Sequence, residues 1–273
     1  MLAIVFIGLL ISLLVVFAFV AYAFLEAAFI RPRCDLEFVK RFRQWQPPFL
    51  RGDDLFAWAV TTAKAATTRL VANRTPDVAK QLAADIYEGA TLAIAQSPSA
   101  LSQRKPSCPS CRQQMIGVTP PEALALAEAV RKTKPKSEAN RIRDRAAHNA
   151  TKVIDLNHEQ YERSRVLCPL LASDGSCAAF DVRPLHCRGW CRFCGSEEND
   201  SLSSPGDAVL WDEHARTVGR GAEEGLSQAL ESSGLDGKIY ELNSALVAAL
   251  DTPTAAEQWA SGTLIFAGCK RYE

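Results

Sequence analysis

The sequence has no excess of charge of either sign, because 31 Lys and Arg residues balance 31 Asp and Glu residues over 273 positions. This balance provides no overall attraction for nucleic acid, so we expect no nucleic-acid partner. Catalytic signatures are lacking as well: the chain has no phosphate-binding glycine-rich loop, no HExxH pair and no nucleophile elbow. Hydrophobic residues make up 48% of the chain, which argues against a largely disordered protein.

The first 25 residues lack any charged side chain, and Glu26 is the first to carry one. As a helix this run would be about 37 Å long, enough to cross a hydrocarbon layer of about 30 Å. The alternative is a cleaved signal peptide, with Ala-Tyr-Ala at 21–23 as its cleavage site. No basic residue precedes the run, however, and the run exceeds the ~7–15 residues of a signal peptide's apolar region. The sequence therefore predicts an uncleaved transmembrane helix within residues 1–30.

Basic residues flank this apolar run on one side only. None precedes it, and five follow it closely: Arg31, Arg33, Lys40, Arg41 and Arg43. The positive-inside tendency then predicts a single-pass membrane protein whose C-terminal domain is cytoplasmic. In a reducing compartment clustered thiols more often bind metal, whereas the inverted topology would make them a disulfide framework.

Helical patterns dominate the rest of the chain, which predicts a mainly α fold. Helices are predicted over 53–73, from Thr75 to about Gln96, from Pro120 to about Lys132, from Ser137 toward Val166, and again beyond Asp207, notably in KIYELNSALVAAL. Thr119 and Glu122 have the spacing of a capping box at the start of the third helix. The glycine-rich stretch GRGAEEG, near 219–225, is interpreted as a helix interruption.

Four regions follow from these patterns. They are a transmembrane helix at 1–30, a juxtamembrane and helical region at 31–104, a cysteine-cluster metal-binding domain at 105–200 and a C-terminal helical region at 201–273. Residues 168–194 are short of regular pattern, and Ser-Asp-Gly-Ser at 173–176 predicts a tight hairpin-like turn. We expect this segment to be irregular and organised by a metal.

Cysteines are concentrated in one part of the chain. Seven of the nine are the predicted metal ligands: Cys108, Cys111, Cys168, Cys177, Cys187, Cys191 and Cys194. A CxxC pair lets two thiolates converge on one ion, and structural zinc sites commonly combine two such pairs. Four thiolates also suit an iron–sulfur cluster, so the cofactor is zinc or an iron–sulfur cluster. Cys34 and Cys269 fit small buried hydrophobic residues, and the lone His186 fits a structural role better than a ligand's.

The segment CPLLASDGSCAAFDVRPLHCRGW, residues 168–190, resembles the core of the CxxCxxCC cysteine-cluster family, also called YkgJ-like zinc- or iron-chelating proteins. The matching positions are Cys168, Pro169, Leu170, Leu171, Gly175, Cys177, Phe180, Arg183, Pro184, Cys187 and Arg188. Upstream, CPSC followed by GVTPPEALALAEAV is similar to the family's cysteine motif and Thr-x-x-Glu helix start. The resemblance covers roughly residues 105–195 and implies a metal-binding protein.

The chain departs from the family motif at Gln114 and Met115, where the family has two adjacent cysteines. Cys191 and Cys194 are predicted to replace them. Some family members are labelled flagellin lysine N-methylases, which implies an alternative function: an iron–sulfur-dependent enzyme that modifies a protein substrate, with SAM as one candidate cosubstrate. Whether the chain is an enzyme is left open.

Cys187, Cys191 and Cys194 also have the CxxxCxxC spacing of a radical-SAM cluster loop, with Phe193 before the last cysteine. Those enzymes place the loop early in a repeating strand–helix barrel, and no alternating pattern of that kind follows here. Arg183 and Arg188 are candidates for hydrogen bonds around the thiolates, with surface arginine as the alternative. A third hypothesis is a scaffold protein in which zinc replaces a hydrophobic core.

Overall fold

The structure, a computed structural model, describes residues 50–75, 77–96, 114–189 and 212–272. Within these ranges the chain is mainly helical, which confirms the predicted mainly α class. In chain order the elements are α1 (Gly52–Val71), α2 (Val78–Ile94), β1 (Gly117–Val118), α3 (Pro120–Thr133), α4 (Lys136–Val153), α5 (His158–Ser164), a 3₁₀ turn (Phe180–Val182), α6 (Leu185–Gly189), α7 (Glu213–Ser232), β2 (Tyr240–Glu241), α8 (Leu242–Asp251) and α9 (Ala255–Ala260).

One hydrophobic core collects buried side chains from α1, α2, α3, α7 and α8. The chain after α8 completes it, because Trp259 and Phe266 are fully buried there. The Trp259 indole N–H donates to the carbonyl oxygen of Asp236 at 3.0 Å, which satisfies the one polar atom of that ring. Helices from the middle and the end of the sequence therefore share a single core.

The glycine-rich stretch near 219–225 is continuous helix, so the predicted interruption is wrong. Its glycines mark close helix contacts instead. A Cβ atom on Gly225 would lie 2.3 Å from the carbonyl oxygen of Val60 in α1, and one on Gly219 would lie 2.7 Å from the Cα of Gly189 in α6. Only glycine permits backbones to approach so closely. As a result α7 lies directly against both α1 and α6.

The helix predicted from Ser137 toward Val166 is two helices, α4 and α5. The break arises at Asn157, which caps α5 in a reciprocal pair: the Gln160 N–H donates to the Asn157 side chain, and the Asn157 N–H donates to the Gln160 side chain. Such a cap favours a new helix start over continuation of the preceding one. Arg165, at a left-handed φ of 54°, ends α5.

A short antiparallel pair joins distant parts of the chain. Gly117 of β1 pairs with Glu241 of β2, and Val118 pairs with Tyr240. The stretch KIYELNSALVAAL is therefore helical only from Leu242 onward, because Tyr240 and Glu241 belong to β2. This pairing joins the segment that precedes α3 to the segment that precedes α8.

The longest described helices, α1 and α7, are amphipathic and carry several charged residues. Across the described ranges no helix is long and apolar enough to cross a membrane. This finding contradicts the predicted single-pass membrane localisation. The segment that prompted it, residues 1–30, lies outside the described residues.

Candidate functional site

Three of the seven predicted ligands lie in the described part of the chain, namely Cys168, Cys177 and Cys187. All three are half-buried and pack against the main core. The other four lie outside the described residues: Cys108, Cys111, Cys191 and Cys194. The candidate site is therefore the segment 168–189 and the helices that hold it.

The predicted turn at 173–176 is confirmed. Leu171 and Cys177 form an antiparallel bridge across the turn. Inside it, the Ala172 N–H donates to the carbonyl oxygen of Ser176 at 2.8 Å. Gly175 takes the left-handed φ of 80° that the turn needs. The hairpin is fastened to α4, because the Arg145 guanidinium donates to the carbonyl oxygen of Leu171 at 2.9 Å.

Among the described residues, no three His, Cys, Asp or Glu side chains are placed so that they could hold a metal ion. Cys168, Cys177 and Cys187 are therefore not a metal-binding group by themselves, and their role as ligands stays a prediction. Burial raises the pKa of both Tyr161 and Tyr87, with a smaller contribution from Cys168 to the first and from Cys187 to the second.

A buried carboxylate links the two motifs that flank the cysteines. One oxygen of Glu122 accepts hydrogen bonds from the backbone N–H and the hydroxyl of Thr119, each at 2.8 Å. The other accepts from the backbone N–H of Leu185, the first residue of α6, at 2.7 Å. The Thr119–Glu122 capping interaction is as predicted, but the bond to Leu185 was not. Through it α3 holds the helix that carries Cys187.

A second buried carboxylate, Glu223 of α7, contributes to a raised pKa of Glu122. Burial, together with the charge of Glu223, raises the pKa of Glu122 to about 7, although the hydrogen bonds from Thr119 and Leu185 oppose the shift. One oxygen of Glu223 is buried without a hydrogen-bond partner in the described part of the chain, and so is the hydroxyl of Tyr87. The interior next to α6 thus holds two buried carboxyl groups and a buried tyrosine hydroxyl.

His186 lies inside this cluster. Its Nδ1 is 3.7 Å from a carboxylate oxygen of Glu223, and its Nε2 is 3.4 Å from the hydroxyl of Tyr272. The ring is only 4% exposed, and it packs edge-to-face on Tyr272. These contacts fit the structural role expected of His186.

Arg188 is 8% exposed, so the surface interpretation is wrong for it. Its guanidinium donates to the carbonyl oxygens of Arg183 and Asp181 and to the Thr91 hydroxyl, the first at 2.9 Å and the last at 2.7 Å. It also lies 4.5 Å from the ring centre of Tyr87. Arg188 therefore ties α6 to α2 and to the 3₁₀ turn before it.

Replacing Arg188 by methionine is expected to lower the free energy of unfolding by about 3 kcal/mol, because three partly buried hydrogen bonds lose their charged donor. Urea unfolding followed by circular dichroism measures this. The matched control is Arg163→Met, at a side chain that is 77% exposed and pairs only with Glu159 on its own helix. A control change as large as that of Arg188→Met would contradict the expectation.

The raised pKa of Glu122 predicts a pH-dependent stability. The folded protein keeps a proton on Glu122 that the unfolded chain releases near its usual pKa of 4.5. Stability from this group is therefore full below pH 4.5 and is lost as the pH rises toward 7, by as much as roughly 3 kcal/mol. Unfolding measured from pH 4.5 to 7.5 should show this decline, and Glu122→Gln should flatten it. Glu128→Gln, on the exposed side of α3, should leave the decline unchanged.

Comparisons with protein-family models, with curated proteins and with solved structures find no match. The resemblance to the CxxCxxCC family therefore stays a prediction based on its residues. The structure does bear on one departure from that motif: Met115 is buried in a small cluster with Val153, Tyr161 and Val166. This position thus serves as apolar core.

Several residues of the site carried no signal in the sequence. Glu223 lies in the stretch that was interpreted as a helix interruption, and Tyr87 and Tyr272 belong to no motif. Glu122 was recognised only as a cap. The sequence offers one hint: the Thr-x-x-Glu motif at 119–122 and the Arg-Pro-x-x-Cys-Arg motif at 183–188 both belong to the resemblance to the cysteine-cluster family. This is consistent with contact between them.

Proposed function

We propose that this protein binds a zinc ion or an iron–sulfur cluster through cysteine thiolates, with Cys187 as one ligand. The observation that carries the proposal is the anchoring of α6. Its first N–H is held by Glu122, and its Arg188 side chain is held by carbonyl oxygens of the preceding turn. A thiol on so short a helix, fixed at both ends, is preorganised for binding.

A site of this kind needs more ligands than Cys187 alone. A tetrahedral zinc site or a cubane cluster takes four protein ligands, or three with one open position. Among the described residues, no three side chains are placed as a metal-binding group. The proposal therefore requires the remaining ligands from Cys108, Cys111, Cys191 and Cys194.

The CxxxCxxC spacing of Cys187, Cys191 and Cys194 supports a shared site for these three residues, since it is the spacing of a cluster-binding loop. The resemblance to the cysteine-cluster family supports thiolate chemistry in general. The enzymatic alternative, a protein-modifying iron–sulfur enzyme, stays a prediction, since no contact among the described residues favours it.

Purification of the full chain under anaerobic conditions, followed by metal and sulfide analysis and visible absorption, tests the proposal. A brown protein with iron and labile sulfide near stoichiometry would support a cluster, and a colourless protein with zinc near stoichiometry would support a zinc site. Folded protein without either metal, obtained from cells supplied with both, would contradict the proposal.

A further inference from the structure

We infer that Glu122 is a positioning residue for Cys187: its carboxylate fixes the start of α6 and thereby the place of the thiol. This inference rests on the proposed thiolate site. It concerns a residue in α3 that is 63 positions away from Leu185 in the sequence.

Glu122 has two separable tasks, one for each oxygen. Oε2 accepts both hydrogen bonds from Thr119 and so serves the start of its own helix. Oε1 accepts only from the Leu185 N–H, at 2.7 Å, and serves α6. Helix N-termini leave their first N–H groups without partners inside the helix, so an external acceptor at this point determines where a short helix begins.

The contact is buried and cannot readily be replaced. Glu122 and Leu185 are both fully buried, so water is not at hand to accept from the Leu185 N–H if the carboxylate is removed. On the opposite side α6 is pressed against α7, where Gly189 meets Gly219. The five-residue helix is thus held between an acceptor on α3 and a backbone contact on α7. Removing the acceptor leaves the Leu185 N–H without this partner and loosens the start of the helix.

Three variants of the full chain separate positioning from helix capping. Glu122→Met removes both acceptor oxygens at similar side-chain length. Glu122→Asp keeps a carboxyl group but withdraws it by about 1.5 Å, one C–C bond. Thr119→Val removes the hydroxyl that caps α3 and leaves the bond to Leu185 in place, so it is the matched control for a loss of stability alone.

The probes are Co(II) for a zinc-type site and ferrous iron with sulfide for a cluster, because both report thiolate ligation through visible absorption. We expect Glu122→Met to weaken binding 10- to 100-fold and to change the absorption spectrum, as replacements of outer-shell groups do. Glu122→Asp should change the affinity and the spectrum in the same direction but less. If Glu122→Met fails to fold, the result for Glu122→Asp tests the positioning role. Thr119→Val should bind with the wild-type spectrum and affinity.

Wild-type affinity and spectrum in both Glu122 variants would overturn the inference and leave the proposed function standing. A wild-type protein that binds neither probe would instead refute the proposed function. Positioning is then judged by the rate at which iodoacetamide alkylates Cys187, measured by mass spectrometry of the folded protein. A selective change at Cys187 in the Glu122 variants, with Cys269 unaffected, would support positioning, and equal rates in all variants would overturn it.

Discussion

Replacing Gly225 by alanine is expected to lower the free energy of unfolding by about 3 kcal/mol, at the upper end of the cost of overpacking a core. The added methyl group would lie 2.3 Å from the carbonyl oxygen of Val60 and 2.9 Å from the Cβ of Ala63. The nearer atom belongs to the backbone of α1, so it cannot rotate away. Relief requires that α1 and α7 separate, and this would open the core along their length.

The sign of this effect is the informative part. Glycine to alanine within a helix normally stabilises by about 1 kcal/mol, because alanine restricts the unfolded chain and favours helix. Thermal and urea unfolding of Gly225→Ala should show the opposite. Gly268→Ala is the control, since a Cβ there would meet nothing within 4 Å. A Gly225→Ala protein as stable as wild type would show that α1 and α7 do not pack as described.

Replacing Cys187 by serine is expected to abolish metal binding while the protein stays folded. Serine keeps the size of the side chain but offers a hydroxyl, which is a poor ligand for zinc and for iron–sulfur clusters compared with thiolate. The effect on folding should be modest, because the supports of α6 come from Glu122 and Arg188 and not from the thiol. Metal content per folded protein, measured after anaerobic purification, tests this.

Cys269→Ser is the matched control for that experiment. Cys269 is half-buried, its thiol donates to the carbonyl oxygen of Ser244 at 3.4 Å, and burial raises its pKa to about 11. A thiol that stays protonated in this way is a poor metal ligand, and serine can keep the same hydrogen bond. Equal metal content in the two variants, whether retained or lost, would contradict the assignment of Cys187.

The local features of the fold could be predicted where a few neighbouring residues determine the geometry. The start of α3 followed from Thr119 and Glu122, and the turn at 173–176 followed from Ser-Asp-Gly-Ser, because the atoms that form the hydrogen bonds lie within four residues. The mainly α class followed from the periodicity of apolar residues in the same way.

Errors arose where a distant partner decides the outcome. The glycines of α7 look like helix breakers in isolation, and only the presence of α1 and α6 shows why Gly219 and Gly225 are required. Arg188 could be placed on the surface or in the interior from sequence alone, since its acceptors come from a preceding turn and from Thr91 in α2. The Glu122 bond to Leu185 is of the same kind.

The candidate site shows the limit most clearly. Spacing identifies cysteines that can act as ligands, but it does not tell which of them converge. It predicts seven ligands, of which the three described ones, Cys168, Cys177 and Cys187, are not a metal-binding group by themselves.

X-ray absorption at the metal edge of the anaerobically purified full chain tests the proposed thiolate site most directly, because it reports the atoms bound to the metal. We predict sulfur neighbours at about 2.3 Å from zinc or iron, and loss of the metal signal in Cys187→Ser. A first shell made only of nitrogen and oxygen at about 2.0–2.2 Å would contradict thiolate ligation and, with it, the role proposed for Cys187.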